Sequence, residues 1–399
     1  MPLDHTTVVG VVGAGAMGTG IAQVAAAAGH RVILADAFEG AARKAQGNIF
    51  KAMDREVQKG RIERNAADAL MSRIEYHWEP LGEDLSVYRP CGLIIEAVVE
   101  DLGIKQTLFR RLEHSVARES VLATNTSSLS VASIASACEA SERVVGIHFF
   151  NPPPLMPLVE IVPWLGGDPS LAPAAYALMR QWKKTPVLAS DTPGFIVNRI
   201  ARPFYGEALR IMEEGIADVP AIDRAMKELG GFRMGPFELM DFIGNDINYA
   251  VTRSVFEAFF YDPRYKPSLT QRRLVEAGFL GKKSGRGYYD YRDGVAATPL
   301  SEPSNDAAVG AAIFDRILAM LINEAVDAVL MRVASPEDID LAMTKGVNYP
   351  KGLLAWGNEI GLSRVLDRLE ALQAEYGEDR YRPSPLLRRM ARDGRRFFE

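Results

Sequence analysis

The chain has 399 residues, 48% apolar and 24% charged, and its 46 Lys and Arg against 51 Asp and Glu leave a net charge of -5. That length and composition suit two or three domains with ample cores and exclude a disordered or collagen-like chain. The mild acidity, with no basic tail or block, argues against nucleic acid or an anionic membrane surface as the main partner.

Met1 to Thr7 lacks the basic-then-apolar pattern of a leader, and no later stretch runs to about eighteen apolar residues, so no membrane span is expected. Cys91 and Cys138 are too few and too far apart for a disulfide framework or a metal cluster, which favours a reducing, cytoplasmic setting without a bound metal. Thr7 to Val12 is a β-branched run, Gly13 to Gly18 a turn, Ile21 to Ala28 an Ala-rich helix and Val32 to Leu34 apolar again, a βαβ opening. Further apolar runs at Gly92 to Val99, Val121 to Thr124, Val144 to Phe150 and Val187 to Ala189 alternate with helical patterns. That rhythm predicts an α/β domain with a mostly parallel, Rossmann-type sheet covered by helices. Arg43 to Ile74 breaks it, being long, charged and helical with no strand, and reads as a helical arm inserted into the sheet domain.

After Asp191-Thr192-Pro193-Gly194 the pattern is helical throughout, which places a boundary near residue 190. A shift of 117 residues then aligns Arg199 with Arg316, Glu207 with Glu324, Asp223 with Asp340, Gly235 with Gly352 and Gly244 with Gly361. Twelve identities at that one offset predict two tandem all-helical domains. The expected organisation is a sheet domain over 1–190, a helical domain over 191–293, a linker over 294–306 carrying Pro299 and Pro303, and a second, degenerate helical copy over 307–399.

Gly13-Ala14-Gly15-Ala16-Met17-Gly18 follows a strand, opens a helix and is trailed by Asp36 at the end of the next strand. In such a unit Gly13 permits the tight turn, Gly15 lets backbone approach a diphosphate, and Gly18 allows close helix–strand packing. The helix N-terminus supplies N–H groups and partial positive charge. Gly13, Gly15, Met17 and Gly18 are therefore candidate dinucleotide contacts, against the plainer reading of a structural turn. Asp36 suits ribose hydroxyls and repels a 2′-phosphate, so NAD is favoured over NADP; capping the next helix is its alternative role.

Oxidation of a secondary alcohol requires a base near neutral pH, and histidine is the side chain best suited. Of five histidines, His5, His30, His77 and His114 sit at the terminus, a turn or charged segments and suit solvated roles. His148 ends the apolar run from Val144, at the sheet edge where such folds place their sites, although a satisfied core histidine has the same pattern. Glu160, inside Leu158-Val159-Glu160-Ile161-Val162, needs a buried partner: His148, whose imidazolium it would stabilise, or an arginine. Ser127 in Thr124-Asn125-Thr126-Ser127-Ser128, and Asn198 near a helix start, are each either a site residue or a helix cap.

Gly13 to Gly18, Asn125 to Leu129, Gly146 to Pro152, Asp191 to Arg199, Met234 to Leu239 and Gly281 to Gly285 together resemble the motifs of L-3-hydroxyacyl-CoA dehydrogenases, in that family's order and spacing over residues 7 to 290. The resemblance implies His148 as base, Glu160 as its orienting acid, Ser127 on the substrate hydroxyl and Asn198 on the reacting group. It also implies that Glu100, Lys105, Asn125, Asn151 and Lys283 contribute around NAD; surface ion pairs or turn positions are their plainer roles. Gly346 to Gly352 and Tyr376 to Pro383 are similar to the 3-hydroxyadipyl-CoA dehydrogenases of bacterial phenylacetate degradation, some of which carry a longer segment between the repeats. Pro157 and Arg233 depart from the family's usual Lys and Pro and bear on acyl-chain preference more than on chemistry.

The expected reaction is reversible, NAD-dependent oxidation of a (3S)-3-hydroxyacyl-CoA to the 3-ketoacyl-CoA. Lys51, Arg55 and Lys59 fall on one helix face opposite Phe50, Met53 and Val57; Lys59 is a candidate for the coenzyme A phosphates, against a merely solvated face. Asp315 stands where Asn198 does in the first copy, so one active site per chain is expected. The chain is then a homodimer, or a monomer whose second copy packs as a partner subunit would. The rivals are a 3-hydroxybutyryl-CoA dehydrogenase and a non-catalytic NAD-binding structural protein on the same fold.

Overall fold

The computed structural model describes residues 3–292 and 306–399, which divide into two compact units, Met1–Phe195 and Ile196–Glu399. The expected linker lies outside the described residues except for Asp306, whose side chain accepts from Ala308 N and Val309 N at the start of a helix. Among the described residues no helix is long and apolar enough to cross a membrane.

The first unit is an eight-stranded sheet: β1 (Val9–Val12), β2 (Val32–Ala35), β3 (Ile74–Tyr76), β4 (Leu93–Glu96), β5 (Val121–Thr124), β6 (Val144–Phe149), β7 (Leu158–Val162) and β8 (Thr185–Leu188), in the order β3-β2-β1-β4-β5-β6-β7-β8. All neighbours are parallel except β6 and β7. The helices are α1 (Ala16–Ala27), α2 (Ala41–Gln58), α3 (Arg64–Ser72), α4 (Leu102–Ser115), α5 (Val131–Ala135) and α6 (Leu171–Gln181). Strands β1, β2, β4, β5, β6 and β7 are buried along their length, as strands covered by helices on both faces must be. The connections reverse direction between β1 and β4, which opens a crevice at their C-terminal ends.

The segment expected as an inserted arm without a strand ends in β3, which pairs with β2; α2 and α3 are the crossover between these neighbouring strands. Ala42, Ala45, Ile49 and Met53 bury one face of α2, whereas Phe50, expected on that face, is exposed. Three-residue β3 was missed because only Ile74 of Ile74-Glu75-Tyr76 is fully buried, as befits an edge strand.

The second unit is helical: α7 (Val197–Ile200), α8 (Arg202–Glu213), α9 (Val219–Gly230), α10 (Pro236–Ile243), α11 (Asn245–Ala258) and α12 (Leu269–Glu276), then α13 (Ala307–Leu330), α14 (Pro336–Gly346), α15 (Leu353–Ile360), α16 (Leu362–Tyr376) and α17 (Pro385–Arg392). Helices α9, α10 and α11 recur 117 residues later as α14, α15 and α16. Asp223 accepts from Phe237 N and Glu238 N to cap α10, and Asp340 accepts from Leu354 N and Ala355 N to cap α15. A Cβ on Gly235 would lie 2.4 Å from Asp223, and one on Gly352 would lie 2.3 Å from Asp340, so each copy needs glycine where the cap closes.

The copies do not stand apart. α13, mostly apolar and buried at Ile313 and from Arg316 through Ala328, packs on α8 and α9 of the first copy as well as on α15, α16 and α17 of its own. Between them Arg199 reaches Glu324 at 2.6 Å while its counterpart Arg316 reaches Glu207 at 3.0 Å. The Tyr265 hydroxyl donates to Glu324 and the Tyr381 hydroxyl to Glu207.

Candidate active site

The glycine turn lies at the crevice between β1 and β4. Gly13 adopts φ +102°, and a Cβ there would meet the Ala97 carbonyl oxygen at 2.6 Å. A Cβ on Gly18 would sit 1.8 Å from the Gly13 carbonyl, so no other residue lets α1 pack this close. Gly15 is different: it is the N-cap of α1, makes no side-chain cap, and a Cβ on it would enter open space. Uncapped N–H groups facing open space are what a diphosphate requires. Met17 lies in the first turn of α1, half-buried.

Asp36 accepts from Ala14 N at 2.6 Å and from Phe38 N at 2.8 Å, tying the end of β2 to the glycine turn. It does not cap α2, whose N-cap is Gly40. A carboxylate oxygen has more than one acceptor direction, so Asp36 retains capacity for a ribose hydroxyl. These residues fit a dinucleotide.

At the same sheet edge, His148 and Glu160 are directly opposed in the antiparallel β6–β7 pair, and Nδ1 lies 2.6 Å from Glu160 Oε2. Glu160 is fully buried and His148 nearly so, so the arginine alternative for Glu160 does not arise at this oxygen. The imidazole is flanked by the rings of Phe150 and Phe195, with centroids 4.6 and 5.8 Å away. With Nδ1 engaged by Glu160, Nε2 is the ring nitrogen left for proton exchange. By contrast His30, expected in solvent, is buried between the Thr7 carbonyl and the Trp182 indole N–H, each at 2.8 Å.

The loop after β5 is organised by acids from β4 and its exit. Glu100 Oε1 accepts from Thr126 Oγ1 at 2.6 Å, Ser127 N at 2.9 Å and Ser128 N at 3.0 Å, and lies 3.3 Å from Ser127 Oγ. Burial opposes its ionisation, but the Lys105 ammonium and these donors hold the carboxyl down to about 2. Lys105, with surface exposure as its plainer expectation, is instead 1% exposed and bridges Glu96 at 2.6 Å and Glu100 at 3.2 Å. Ser127 is not a helix cap, since Ser130 caps α5. Asn125 Oδ1 accepts from Phe149 N at 2.8 Å, bracing the strand end that carries His148. Asn151 lies exposed just beyond that strand.

Lys59 is the C-cap of α2, more than half exposed and 3.8 Å from Glu56. In the second unit, Asn198 is half-buried within α7 and is not its N-cap, which is Ile196. Lys283 pairs with Asp246 at 2.6 Å.

Four residues of this framework escaped the sequence reading. Glu96 joins Lys105 to Thr124 Oγ1. Asp191 accepts from Ser130 Oγ, Val131 N and Ala132 N, fixing its loop to α5. Lys184 donates to the Pro153 and Met156 carbonyls in the loop after Asn151. Arg202 donates to the Asn198 carbonyl. Only Glu96 carried a legible signal, a carboxylate in the apolar run Leu93-Ile94-Ile95-Glu96, the argument that identified Glu160.

The sequence profile described as 3-hydroxyacyl-CoA dehydrogenase, NAD binding domain, matches residues 8–192. The profile of the 3-hydroxyacyl-CoA dehydrogenase C-terminal domain matches residues 194–291 and 313–396. The chain is 38% identical over 465 aligned positions to the 3-hydroxyadipyl-CoA dehydrogenase of Escherichia coli K12, covering 96% of this chain and 97% of that protein. It is 39% identical over 292 residues to the mitochondrial hydroxyacyl-coenzyme A dehydrogenase of Sus scrofa, covering 73% of this chain and 92% of that protein. A crystal structure of 3-hydroxybutyryl-CoA dehydrogenase from E. coli K12 superposes with a TM-score of 0.89 at 37% identity, over 97% of this chain and 98% of that one. The chain belongs to the 3-hydroxyacyl-CoA dehydrogenase family, as an NAD-dependent oxidoreductase.

Proposed function

We propose that the chain interconverts (3S)-3-hydroxyadipyl-CoA and 3-ketoadipyl-CoA, in the cytoplasm and as a step of phenylacetate catabolism. The 38% identity with a 3-hydroxyadipyl-CoA dehydrogenase across nearly the full length of both proteins supports the substrate. Both cysteines are buried, unpaired thiols, which suits a reducing compartment. The His148–Glu160 pair carries the reading of the chemistry.

In the forward direction His148 Nε2 takes the proton of the C3 hydroxyl, and Glu160 stabilises the imidazolium and fixes the ring. Ser127 holds the substrate oxygen, exchanging its contact with Glu100 for one with the hydroxyl, and Asn198 holds the reacting group. Bound NAD supplies the acceptor for the C3 hydride. Gly13, Gly15, Met17 and Gly18 hold its diphosphate, Asp36 its adenosine ribose, and Glu100, Lys105, Asn125, Asn151 and Lys283 the remainder. Lys59, with Lys51 and Arg55, faces the coenzyme A phosphates.

The two helical copies act as a dimer within one chain. The reciprocal contacts Arg199–Glu324 and Arg316–Glu207 have the i-to-j, j-to-i form of an isologous interface. Asp315, in the place of Asn198, pairs with Arg364, so the second copy contributes no second catalytic asparagine.

A second reading, a 3-hydroxybutyryl-CoA dehydrogenase, is favoured by the superposition, at a TM-score of 0.89, on the E. coli 3-hydroxybutyryl-CoA dehydrogenase crystal structure. NADH oxidation with a panel of 3-ketoacyl-CoA thioesters decides between them. The adipyl reading requires 3-ketoadipyl-CoA to give the highest kcat/KM; leadership by acetoacetyl-CoA selects the butyryl reading.

A further inference from the structure

Five arginines are buried among the described residues: Arg143, Arg199, Arg202, Arg316 and Arg380. Four have a carboxylate within 4 Å: Glu113 for Arg143, Glu324 for Arg199, Glu207 for Arg316 and Glu214 for Arg380. Arg202 is the exception. It opens α8 at 6% exposure and, among the described residues, has no acidic partner. Its Nε donates to the Asn198 carbonyl at 2.8 Å and its Nη1 to Thr252 Oγ1 at 3.0 Å, with the Tyr205 ring centroid 5.0 Å from the guanidinium carbon. Burial pushes the guanidinium below its usual value, with only Tyr205 and Tyr349 opposing. A guanidinium does not give up its proton in a protein, so it remains a buried cation without a counter-ion.

Tyr349, from the second copy, supplies the other half of the observation. It is 5% exposed, and its hydroxyl is buried with no hydrogen-bond partner among the described residues. The 117-residue offset places Tyr349 opposite Phe232 of the first copy, and the Tyr349 ring packs on Phe232 and Phe204. Packing at this position is met by a plain phenyl ring in one copy, so the hydroxyl is not needed to fill space. An unused donor within electrostatic range of an uncompensated cation matches what a carboxylate accepts.

We infer that Arg202, assisted by the Tyr349 hydroxyl, binds the terminal carboxylate of a dicarboxylic acyl-CoA substrate. The inference rests on the assignment of Asn198 to the reacting group. Ala201, the turn residue that joins α7 to α8, keeps right-handed helical backbone angles, so Arg202, four residues after Asn198 and with its Nε on the Asn198 carbonyl, lies about one helical step of 5–6 Å from it. That step is comparable with the three bonds that separate C3 from the terminal carboxyl carbon of an adipyl chain. The second copy thereby gains a part in substrate choice as well as in stability.

The test compares thioesters of equal length that differ only in the terminal group. Inhibition by unreactive adipyl-CoA and hexanoyl-CoA is measured together with kcat/KM for 3-ketoadipyl-CoA and 3-ketohexanoyl-CoA, on wild type, Arg202→Leu, Arg202→Lys and Tyr349→Phe. Wild type should favour the dicarboxylic member of each pair by about tenfold or more, the worth of a charge-assisted hydrogen bond. Arg202→Leu should bring both ratios close to one, Arg202→Lys should restore part of the preference, and Tyr349→Phe should lower it by about threefold to tenfold. A wild type that reduces 3-ketohexanoyl-CoA without preferring 3-ketoadipyl-CoA overturns the carboxylate site and leaves the dehydrogenase assignment intact. So do equal losses on both members of a pair in Arg202→Leu and an unchanged ratio in Tyr349→Phe. Failure of every thioester with wild type refutes the assigned reaction instead.

Discussion

His148 and Glu160 oppose each other across β6 and β7, the one antiparallel pair of the sheet, and their side chains meet at 2.6 Å. Because side chains of directly opposed residues share a face, strand register alone brings base and acid together. A one-residue slip would separate them.

Glu160→Gln should lower kcat by roughly 10²–10⁴-fold, because an amide neither stabilises imidazolium nor enforces the productive tautomer. NADH affinity, read by fluorescence titration, should stay within about twofold. Parallel losses in turnover and cofactor affinity would place Glu160 in the fold or the nucleotide site instead.

Gly15→Val separates folding from cofactor binding. A Cβ here meets nothing within 4 Å, so the thermal midpoint should hold. It would occupy the space before the α1 N-terminus, and NAD affinity should fall by about tenfold or more. An unchanged Kd contradicts the diphosphate assignment. Gly18→Val, by contrast, should fail to fold, with its Cβ 1.8 Å from the Gly13 carbonyl.

Lys184 gives the first unit a distinctive alkaline response. Burial away from water pushes its ammonium down to about 8. Below that pH the lysine is charged in both folded and unfolded chains, and the cost of burying it is fully present. Between about 8 and the ordinary value of about 10.4, the unfolded chain holds a proton that the folded chain has lost. Stability should therefore gain a rising contribution with pH across that window. Urea unfolding from pH 7.5 to 10.5 should show that contribution in wild type and lack it in Lys184→Met; identical pH profiles would refute it.

Arg316→Met removes one of the two arginines paired with buried Glu207, leaving Arg210 at 3.0 Å, and should destabilise the second unit by about 1–3 kcal/mol in chemical denaturation. Removal of residues 305–399 would uncover the faces of α8 and α9 that α13 covers. That truncate should aggregate or self-associate in sedimentation; a well-behaved, fully active monomer contradicts the internal-dimer account.

Much of this was legible in sequence because it rests on local rules. The glycine turn, the βαβ unit and the buried acid in β7 each follow from residue type and spacing, and the 117-residue repeat from simple self-alignment. What escaped depends on contacts distant in the chain. His30 reads as a turn residue until Trp182 is brought to it. Edge strand β3 has too few buried residues to announce itself. Arg202 looks like any helix-opening arginine until its burial, and the lack of an acidic partner among the described residues, set it apart.

The most direct test of the central claim is steady-state and single-turnover NADH oxidation by His148→Gln with a 3-ketoacyl-CoA. Loss of the base should cut kcat by at least about 10²–10⁴-fold while NADH affinity holds. Turnover within about tenfold of wild type would show that another group handles the proton, and the assigned chemistry of the His148–Glu160 pair would fall.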